Sequence, residues 1–582
     1  MATDHLLQEF PPVSTEMWEE VIRKDLKGAD YARKLIWKAE EGLAVKPYYR
    51  AEDIAGLEYL AAAPGTYPYA RGARAAGGWR IREEIDAASP EEANRAARNA
   101  IQAGAEEIAF TQADIQSAAE LETLLAQLDE IPVHFEQADE PLLRLLMERL
   151  KRKPRTAMVS TGWNPLAHPD FAAEVAASAL PWFIPFTLHG EEFEESGATA
   201  VQEVGFTLAA GVDYLAALED RKVDADRAAA AVAFSFAMGT SYFFQIAKLR
   251  AFRMAWAQAA ASFGGSREAA KARIYARTSR WSETLYDPHV NILRATTEAM
   301  AAVLGGADSV TVAPFDECYR SPDEASRRLA RNTQIILKQE ALLARVADPG
   351  GGAYCLEAIT DFLARAGWKS MQEIEAAGGY AEAKAAGTID KELAQSQAAK
   401  EKAVSSRRRA FTGTNQHPNL LEKALDRIDV ARLESRQRGA RMYEQLRLRT
   451  ERSAAKTGRT PHILLAEIGD ARMRAARSGF AADFFGCAGF DLKTGRFSSV
   501  EEIATAEADL IVLCSSDAEY PGLAAELIPK LKARGRETPV IVAGAPETTA
   551  QLEAAGVADF VHVRSNPIEL LAKWQQRLGI KD

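Results

Sequence analysis

Residues 107–135, EIAFTQADIQSAAELETLLAQLDEIPVHF, decide the fold class of most of this chain. The short apolar runs Glu107–Phe110 and Ile131–Phe135 predict two strands, and the pattern of Asp114–Leu128 between them predicts a helix. A strand, a helix and a second strand in this order form parallel neighbours in a sheet that helices cover.

The same alternation continues on both sides of this stretch, from about residue 80 to about residue 390. Further strands are predicted at Thr156–Ser160, Trp182–Leu188, Ala272–Ala276 and Ser309–Ala313. Further helices are predicted at Pro90–Ala103, Thr199–Leu218 and Asp224–Phe263, of which the last is long enough for two helices. The number of repeats suits a (β/α)8 TIM barrel.

A second alternation begins at about residue 458 and runs to the end of the chain. Its predicted strands are Ile463–Ala466, Leu510–Cys514, Val540–Ala543 and Phe560–Val563. Its predicted helices are Asp470–Phe485, Tyr520–Arg534, Glu547–Ala555 and Pro567–Leu578. This size and spacing are typical of a doubly wound, flavodoxin-like α/β domain.

The chain therefore divides into an arm at 1–50, a barrel domain at 51–395, a helical linker at 396–457 and a doubly wound domain at 458–582. The arm contains one predicted helix, Thr15–Lys27, and is too short to fold alone. The linker is rich in arginine, and such a run could bind phosphate. Its interleaved Glu and Asp residues favour a solvated helical linker instead.

The composition excludes several classes of protein. Hydrophobic residues make up 47% of the 582 residues and charged residues 26%, which are values of a globular protein. A formal net charge of −11 disfavours a nucleic-acid partner, and no apolar run is long enough for a membrane span. The four cysteines form no close pair, which fits a reducing compartment. We expect a cytoplasmic protein.

Short motifs from the arm to the end of the barrel region point to one family: Pro11–Ser14, Asp25–Gly28, Val45–Pro47, Tyr69–Gly72, Pro90–Asn94, Ser196–Ala200, Ala209–Tyr214, Ala330–Gln334 and Val346–Gly351. They resemble motifs of methylmalonyl-CoA mutase subunits, and the order of barrel, linker and doubly wound domain is similar too. The resemblance implies a protein that rearranges acyl-CoA thioesters with adenosylcobalamin. In that family the barrel holds the substrate, and the C-terminal domain binds the corrin through a His in an Asp-x-His-x-x-Gly motif.

The C-terminal domain departs from the family at each corrin-binding motif. The loop after its first strand keeps Gly469 and offers Asp470, but no His follows them. The second motif reads Ser515-Ser516-Asp517, with an acid where the family has an apolar residue. The third keeps Gly544 and loses the other glycine of a pair, so that a Cβ would crowd a nucleotide tail. We expect no cofactor in this chain and adenosylcobalamin in a partner subunit.

The barrel departs as well. Where the catalytic subunit of the family carries a Tyr-His pair that contacts the thioester, this chain has Glu191 and Glu192. A carboxylate is the wrong charge beside an oxygen that gains electron density. His189 lies one position before Gly190 and is not expected to take over this role. Of the family's substrate-closing segment, Trp79 and Arg82 remain.

Two interpretations of Glu191 and Glu192 stay open. They could serve as general acid and base at the barrel face where active sites lie, although neighbours on a strand point to opposite sides. The simpler interpretation is that Glu191–Glu195 is a solvated acidic loop. His134, His168 and His289 show no ligand spacing, so no metal site is expected.

The favoured hypothesis is a small, non-catalytic subunit that forms a heterodimer with a large catalytic mutase subunit. The alternative is a catalytically competent acyl-CoA mutase or another barrel enzyme that uses Glu191 or Glu192. The family resemblance implies that the arm wraps around the partner. Without a ligand along its axis, the barrel should be narrowed by side chains of Arg273–Arg277.

Overall fold

The computed structural model describes residues 11–112 and 115–581. Residues 1–10 of the predicted arm, the predicted helix start at Asp114, and Asp582 lie outside the described residues. The described part of the arm contains two helices, α1 (Thr15–Asp25) and α2 (Tyr31–Leu35), and a small hairpin of β1 (Trp37–Lys38) and β2 (Ala44–Val45).

Helix α1 presents its apolar residues to solvent. Ser14 caps it by accepting a hydrogen bond from the Met17 backbone N–H. No residue of the helix is buried, and Met17, Trp18 and Val21 are each about half exposed. Trp18 stacks on Tyr48 at a ring-centroid distance of 4.9 Å.

The barrel sheet is parallel and follows the order β7-β6-β5-β4-β3-β11-β10-β9-β8. Its strands are β3 (Arg80–Asp86), β4 (Glu107–Gln112), β5 (Val133–Phe135), β6 (Val159–Thr161), β7 (Phe183–Ile184), β8 (Phe186–His189), β9 (Val232–Met238), β10 (Ile274–Thr278) and β11 (Ser309–Thr311). Pro185 separates β7 from β8, because proline cannot donate a ladder hydrogen bond. Strand β7 pairs with β6 and β8 pairs with β9, so this interrupted strand closes the ring and the predicted TIM barrel is confirmed.

Helices cover the outside of the barrel. They are α3 (Pro90–Gln102), α4 (Ala118–Leu124), α5 (Glu140–Arg152), α6 (Pro169–Ala177), α7 (Glu191–Glu195), α8 (Ala200–Asp220), α9 (Ala225–Ala230), α10 (Tyr242–Ser262), α11 (Val290–Leu304) and α12 (Glu324–Ile335). Outward residues of the strands, such as Ile108 and Phe110, belong to one large apolar core with these helices. Alternate residues of the same strands face the barrel axis.

Two predictions about this region were wrong. The predicted helical stretch Asp224–Phe263 contains two helices, but strand β9 lies between them. Its sequence VAFSFAM is apolar throughout, and a short apolar run does not distinguish a buried strand from a helix. Strand β3 was missed because its inward residues are charged, RIREEID.

Helices also follow the barrel. Three pack beside it or lead away from it, α13 (Tyr354–Ala376), α14 (Tyr380–Ala385) and α15 (Thr388–Ser405), and two lie further on, α16 (Val430–Glu434) and α17 (Arg441–Thr457). The linker is helical at both ends and largely irregular between 406 and 429. Phe411 of this irregular part packs on Trp281, at 5.5 Å between ring centroids.

The C-terminal domain is a parallel sheet of order β13-β12-β14-β15-β16, the strand order of flavodoxin-like folds. Its strands are β12 (His462–Glu467), β13 (Asp491–Arg496), β14 (Leu510–Cys514), β15 (Val540–Ala543) and β16 (Asp559–Val561). Its helices are α18 (Ala471–Gly486), α19 (Val500–Thr505), α20 (Tyr520–Ala533), α21 (Thr549–Ala554) and α22 (Pro567–Arg577). The prediction missed the edge strand β13 and helix α19, since β13 is polar and mostly exposed.

Candidate functional site

A polar cavity of about 850 Å3 opens at the carboxyl ends of the barrel strands. Active sites of TIM barrels lie at this face. Its wall includes Glu136 after β5, His189 at the end of β8, and Glu191 and Glu192 on α7. Linker residues Arg432 and Arg436 close its outer side.

Below this cavity the barrel axis is filled by side chains. The Arg82 guanidinium lies over the Tyr275 ring, 4.0 Å from its centroid, and both residues are buried. Arg82 Nε donates to Glu107 Oε1 at 2.8 Å, and Arg80 Nε donates to Glu107 Oε2 at 2.6 Å. Of the stretch Arg273–Arg277, Tyr275 thus lies in the barrel interior, with Arg82 as its main cationic neighbour.

Trp79, the other residue kept from the substrate-closing segment, is also buried. Its indole Nε1 donates to Gln334 Oε1 at 3.1 Å. Both retained residues therefore have contacts within the chain that account for them.

Glu191 does not belong to a solvated loop, so that prediction was wrong. Residues Glu191–Glu195 form helix α7, and the Glu191 side chain is only 12% exposed. Its Oε1 lies 2.8 Å from His189 Nδ1, and its Oε2 accepts a hydrogen bond from Ser235 Oγ. Since Glu191 and Glu192 lie on a helix, the argument from strand alternation does not apply to them.

His189 lies between two acceptors. Its Nε2 donates to the Gly162 carbonyl at 2.7 Å, while its Nδ1 faces Glu191. Both ring nitrogens must carry hydrogen, so the ring is an imidazolium. Burial lowers the pKa of His189, but the Glu191 carboxylate outweighs burial and raises that pKa to about 10. The same pair keeps the pKa of Glu191 below its usual value against the effect of burial.

Glu192 lines the same cavity without sharing this ion pair. Loss of bulk water at the cavity wall raises the pKa of Glu192, and Glu191 and Glu195 add to the effect. The structure thus brings Glu191 and Glu192 to one cavity but gives them different surroundings.

Glu136 is oriented by a second histidine. His134 Nε2 donates to Glu136 Oε2 at 3.1 Å, and His134 Nδ1 lies 2.9 Å from Ser160 Oγ. Burial lowers the pKa of His134, so its ring is neutral and accepts from Ser160. Burial raises the pKa of Glu136, but the His134 hydrogen bond and the charges of His189 and Arg82 hold it well below its usual range.

At the rim of the cavity, Glu317 forms ion pairs with arginines of the barrel and of the linker. Arg277 Nη2 donates to it at 2.7 Å, Arg280 Nε lies 3.5 Å away, and Arg436 donates to Oε1. These arginines outweigh burial and hold the pKa of Glu317 far below its usual range. We call Glu317, Arg277, Arg280 and Arg436 the rim clamp.

Two nearby acids are buried without a cation in contact. Glu298 accepts a hydrogen bond from Ser282 Oγ at 2.6 Å, and neither carboxyl oxygen of Glu283 has a hydrogen-bond partner among the described residues. Burial raises the pKa of each to about 8, and a neighbouring carboxylate adds to each shift. Both side chains are therefore largely protonated at neutral pH.

In the C-terminal domain, the Glu519 carboxylate lies at the loops that follow β12 and β14. Glu519 Oε2 accepts from Ser515 Oγ at 2.7 Å, Ser516 Oγ at 2.6 Å and the Asp470 backbone N–H at 3.1 Å. These hydrogen bonds, from Ser516 first, lower the pKa of Glu519 to about 2. Gly469 has a φ of +79°, and a Cβ there would lie 2.5 Å from the Glu519 carboxylate.

The remaining crevice residues are also engaged within the chain. Asp470 caps helix α18 by accepting from the Arg472 and Met473 backbone N–H groups. Asp517 forms an ion pair with Arg477 at 2.9 Å, and a Cβ on Gly544 would lie 3.2 Å from Asp517. These residues do not suit a corrin with its nucleotide tail, because the loop 468–470 offers no imidazole and charged side chains lie beside Gly469 and Gly544.

The two histidines of this domain do not supply the absent ligand. His462 is the first residue of β12, with Nδ1 3.0 Å from Asp491, and His562 follows β16. Neither lies in the loop between β12 and α18.

Sequence reasoning missed several members of these sites. His189 was set aside, and Glu136, Ser235, Glu317 and Glu519 were not singled out. A usable signal existed for Glu136, which directly follows a predicted strand, since such residues meet at one end of a parallel barrel. Glu317 and Glu519 follow strands at greater distance, and no spacing rule links them to their partners.

Among the described residues, no helix combines the length and apolar character that crossing a membrane requires.

The fold and the cavity define a two-domain α/β protein in which a TIM barrel with a polar mouth precedes a flavodoxin-like domain. The sequence profile described as methylmalonyl-CoA mutase matches residues 38–117 and 169–477. The chain belongs to the methylmalonyl-CoA mutase family.

Individual relatives agree with this family. The chain is 36% identical to the methylmalonyl-CoA mutase small subunit of Porphyromonas gingivalis, over 99% of each chain. It is 32% identical to the small subunit of Streptomyces virginiae, over 99% of this chain and 98% of that one. To the protein named large subunit from the same Streptomyces species it is 29% identical, over 76% of this chain and 67% of that one.

Proposed function

We propose that this chain is the small, non-catalytic subunit of a heterodimeric methylmalonyl-CoA mutase. Its work is to bind and stabilise a large subunit that carries adenosylcobalamin and interconverts methylmalonyl-CoA and succinyl-CoA. The full-length similarity to relatives named small subunit supports this role. Another relative is named large subunit, which supports a large mutase subunit as the partner.

The observation that carries the proposal is the group of charged side chains at the loops after β12 and β14 of the C-terminal domain. A bound corrin needs an axial ligand and a channel for its nucleotide tail. Here the Glu519 carboxylate lies against Gly469, and the Arg477–Asp517 ion pair lies beside Gly544. A nucleotide tail at this place would have to displace these side chains.

The barrel supports the same role. In the family, the pantetheine part of the CoA substrate passes along the barrel axis. Here the buried Arg82–Tyr275 pair and the ion pairs of Glu107 occupy this axis. Glu191 is engaged with His189, and it carries negative charge where a thioester oxygen would need a hydrogen-bond donor.

Equilibrium dialysis of the purified chain against adenosylcobalamin tests the proposal directly. We expect no saturable binding in the micromolar range by this chain. The large subunit, alone or with this chain, should bind the cofactor and supplies the control. A stoichiometric corrin spectrum on this chain alone would contradict the proposal.

One observation favours the alternative of a competent barrel enzyme. Glu192 faces the 850 Å3 cavity with a raised pKa, as a general acid does. Isomerase turnover by the isolated chain that is lost in Glu192→Gln would support this second candidate. We expect no turnover by the isolated chain and unchanged turnover of the heterodimer that carries Glu192→Gln.

A further inference from the structure

We propose that Glu136, His189 and Glu191 bind one divalent transition-metal cation at the barrel mouth. The ligand atoms that these side chains offer lie within 4.8 Å of one another. Two carboxylates and one imidazole form a donor set that suits Zn2+, Mn2+ or Fe2+. This site goes beyond the proposed function, which requires no metal in this chain.

The three ligands come from three separate elements. Glu136 directly follows β5, His189 ends β8, and Glu191 begins α7. All three line the cavity at the carboxyl ends of the barrel strands. A cation held by them has its remaining coordination positions directed to the cavity, where water or an oxygen ligand can reach it.

The orientation of His189 is that of a metal ligand. Its Nε2 donates to the Gly162 carbonyl at 2.7 Å, and a ligating histidine characteristically donates its other ring N–H to such a group. Its Nδ1 faces Glu191 Oε1 at 2.8 Å. The cation takes the place of the proton on Nδ1, which leaves to solvent, and the ring keeps its position.

Each carboxylate is also oriented by a group outside the triad. Glu136 accepts from His134 Nε2 at 3.1 Å through Oε2, which leaves Oε1 for the cation. Glu191 accepts from Ser235 Oγ through Oε2, which leaves Oε1 on the side of His189. All three ligands therefore have the outer hydrogen bonds that fix ligand geometry in metal sites.

Titration calorimetry on the untagged full-length chain, after removal of metals by a chelator, tests the site. We expect one saturable site per chain for Zn2+ and for Mn2+. His189→Ala and Glu191→Gln should each weaken binding at least tenfold. His168→Ala, which changes an exposed histidine, is the matched control and should bind as the wild type does.

Ser235→Ala gives a milder variant that keeps all three ligands. Loss of an outer hydrogen bond typically weakens a site by roughly 10–100-fold, and we expect a weakening in this range. Circular dichroism and gel filtration of every variant separate loss of the site from loss of the fold. Absence of saturable binding by the wild type, or equal affinity in wild type and a folded His189→Ala variant, would overturn the proposal.

Discussion

Glu298 is a buried acid whose protonation depends on its surroundings. Glu194, Glu283 and Arg294 are its charged neighbours, and Ser282 donates to it. Its pKa is about 8 in the folded chain, above the ordinary value of a glutamate. The folded state therefore holds a proton that the unfolded state has lost, and this contribution to stability declines as the pH rises from about 4.3 towards 8.

We expect Glu298→Gln to remove this dependence, because glutamine keeps the acceptor for Ser282 and does not titrate. Relative to the variant, the wild type should lose up to about 1.4 kcal/mol of unfolding free energy per pH unit and change little above pH 8. Urea unfolding of both proteins from pH 6 to pH 9 measures the difference. Parallel curves for the two proteins would show that Glu298 is ionised at neutral pH.

Tyr275 tests the packing of the barrel axis. Its ring is buried against Arg82. Tyr275→Ala should lower the free energy of unfolding by about 3–5 kcal/mol, as truncation of a large buried ring does. Tyr275→Phe keeps the ring and should cost little. Similar stability of the Ala variant and the wild type would mean that the axis is loosely packed.

The candidate site was only partly predictable at this scale. The sequence identified Glu191 and Glu192 as departures from the family. It did not show which side chains form hydrogen bonds or ion pairs with them. His189 became relevant only because β6, β8, β9 and α7 converge and bring Gly162, Ser235 and Glu191 around its ring. Such long-range hydrogen bonds have no local sequence signal.

Among the elements, helix α1 of the arm has the clearest interface character. It has no buried residue, and its Trp18 is 48% exposed. Buried tryptophans dominate many interfaces. If the arm binds the large subunit, Trp18→Ala should weaken the heterodimer at least tenfold in surface plasmon resonance.

Trp182 supplies the matched control for this experiment. It is 61% exposed and lies on the barrel directly before β7. Trp182→Ala should leave the affinity unchanged. Equal effects of the two variants, or none from Trp18→Ala, would remove α1 from the interface.

Strands with a continuously apolar sequence were predicted well, and strands with several charged residues were missed. Strands β14 and β15 were predicted at their observed ends because both faces are buried and their sequences are continuously apolar. Strands β3 and β13 carry charged residues, since β3 faces a polar barrel interior and β13 is a sheet edge. Periodicity reports burial, so it fails where polar groups are the buried ones.

For the whole molecule, the order of elements was enough to predict both domains. Alternating strands and helices allow few topologies, because parallel connections are right-handed and short. Ring closure across the interruption at Pro185 was not predictable, because it depends on which strands pair and not on any one segment. The same holds for the position of the linker over the barrel mouth.

The rim clamp should affect how fast proteases cleave the chain. Arg436 and Arg432 of the linker donate hydrogen bonds to Glu317 of the barrel domain. Both belong to the stretch 406–440, which is rich in arginine and mostly irregular. Trypsin cleaves after arginine, so it should cut this stretch when the stretch detaches from the barrel. Glu317→Gln should therefore shorten the half-life in limited trypsinolysis, with first cuts in this stretch, while Glu324→Gln, an exposed control, should not. The resistance of the chain to proteases would then depend in part on one carboxylate that joins the linker to the barrel.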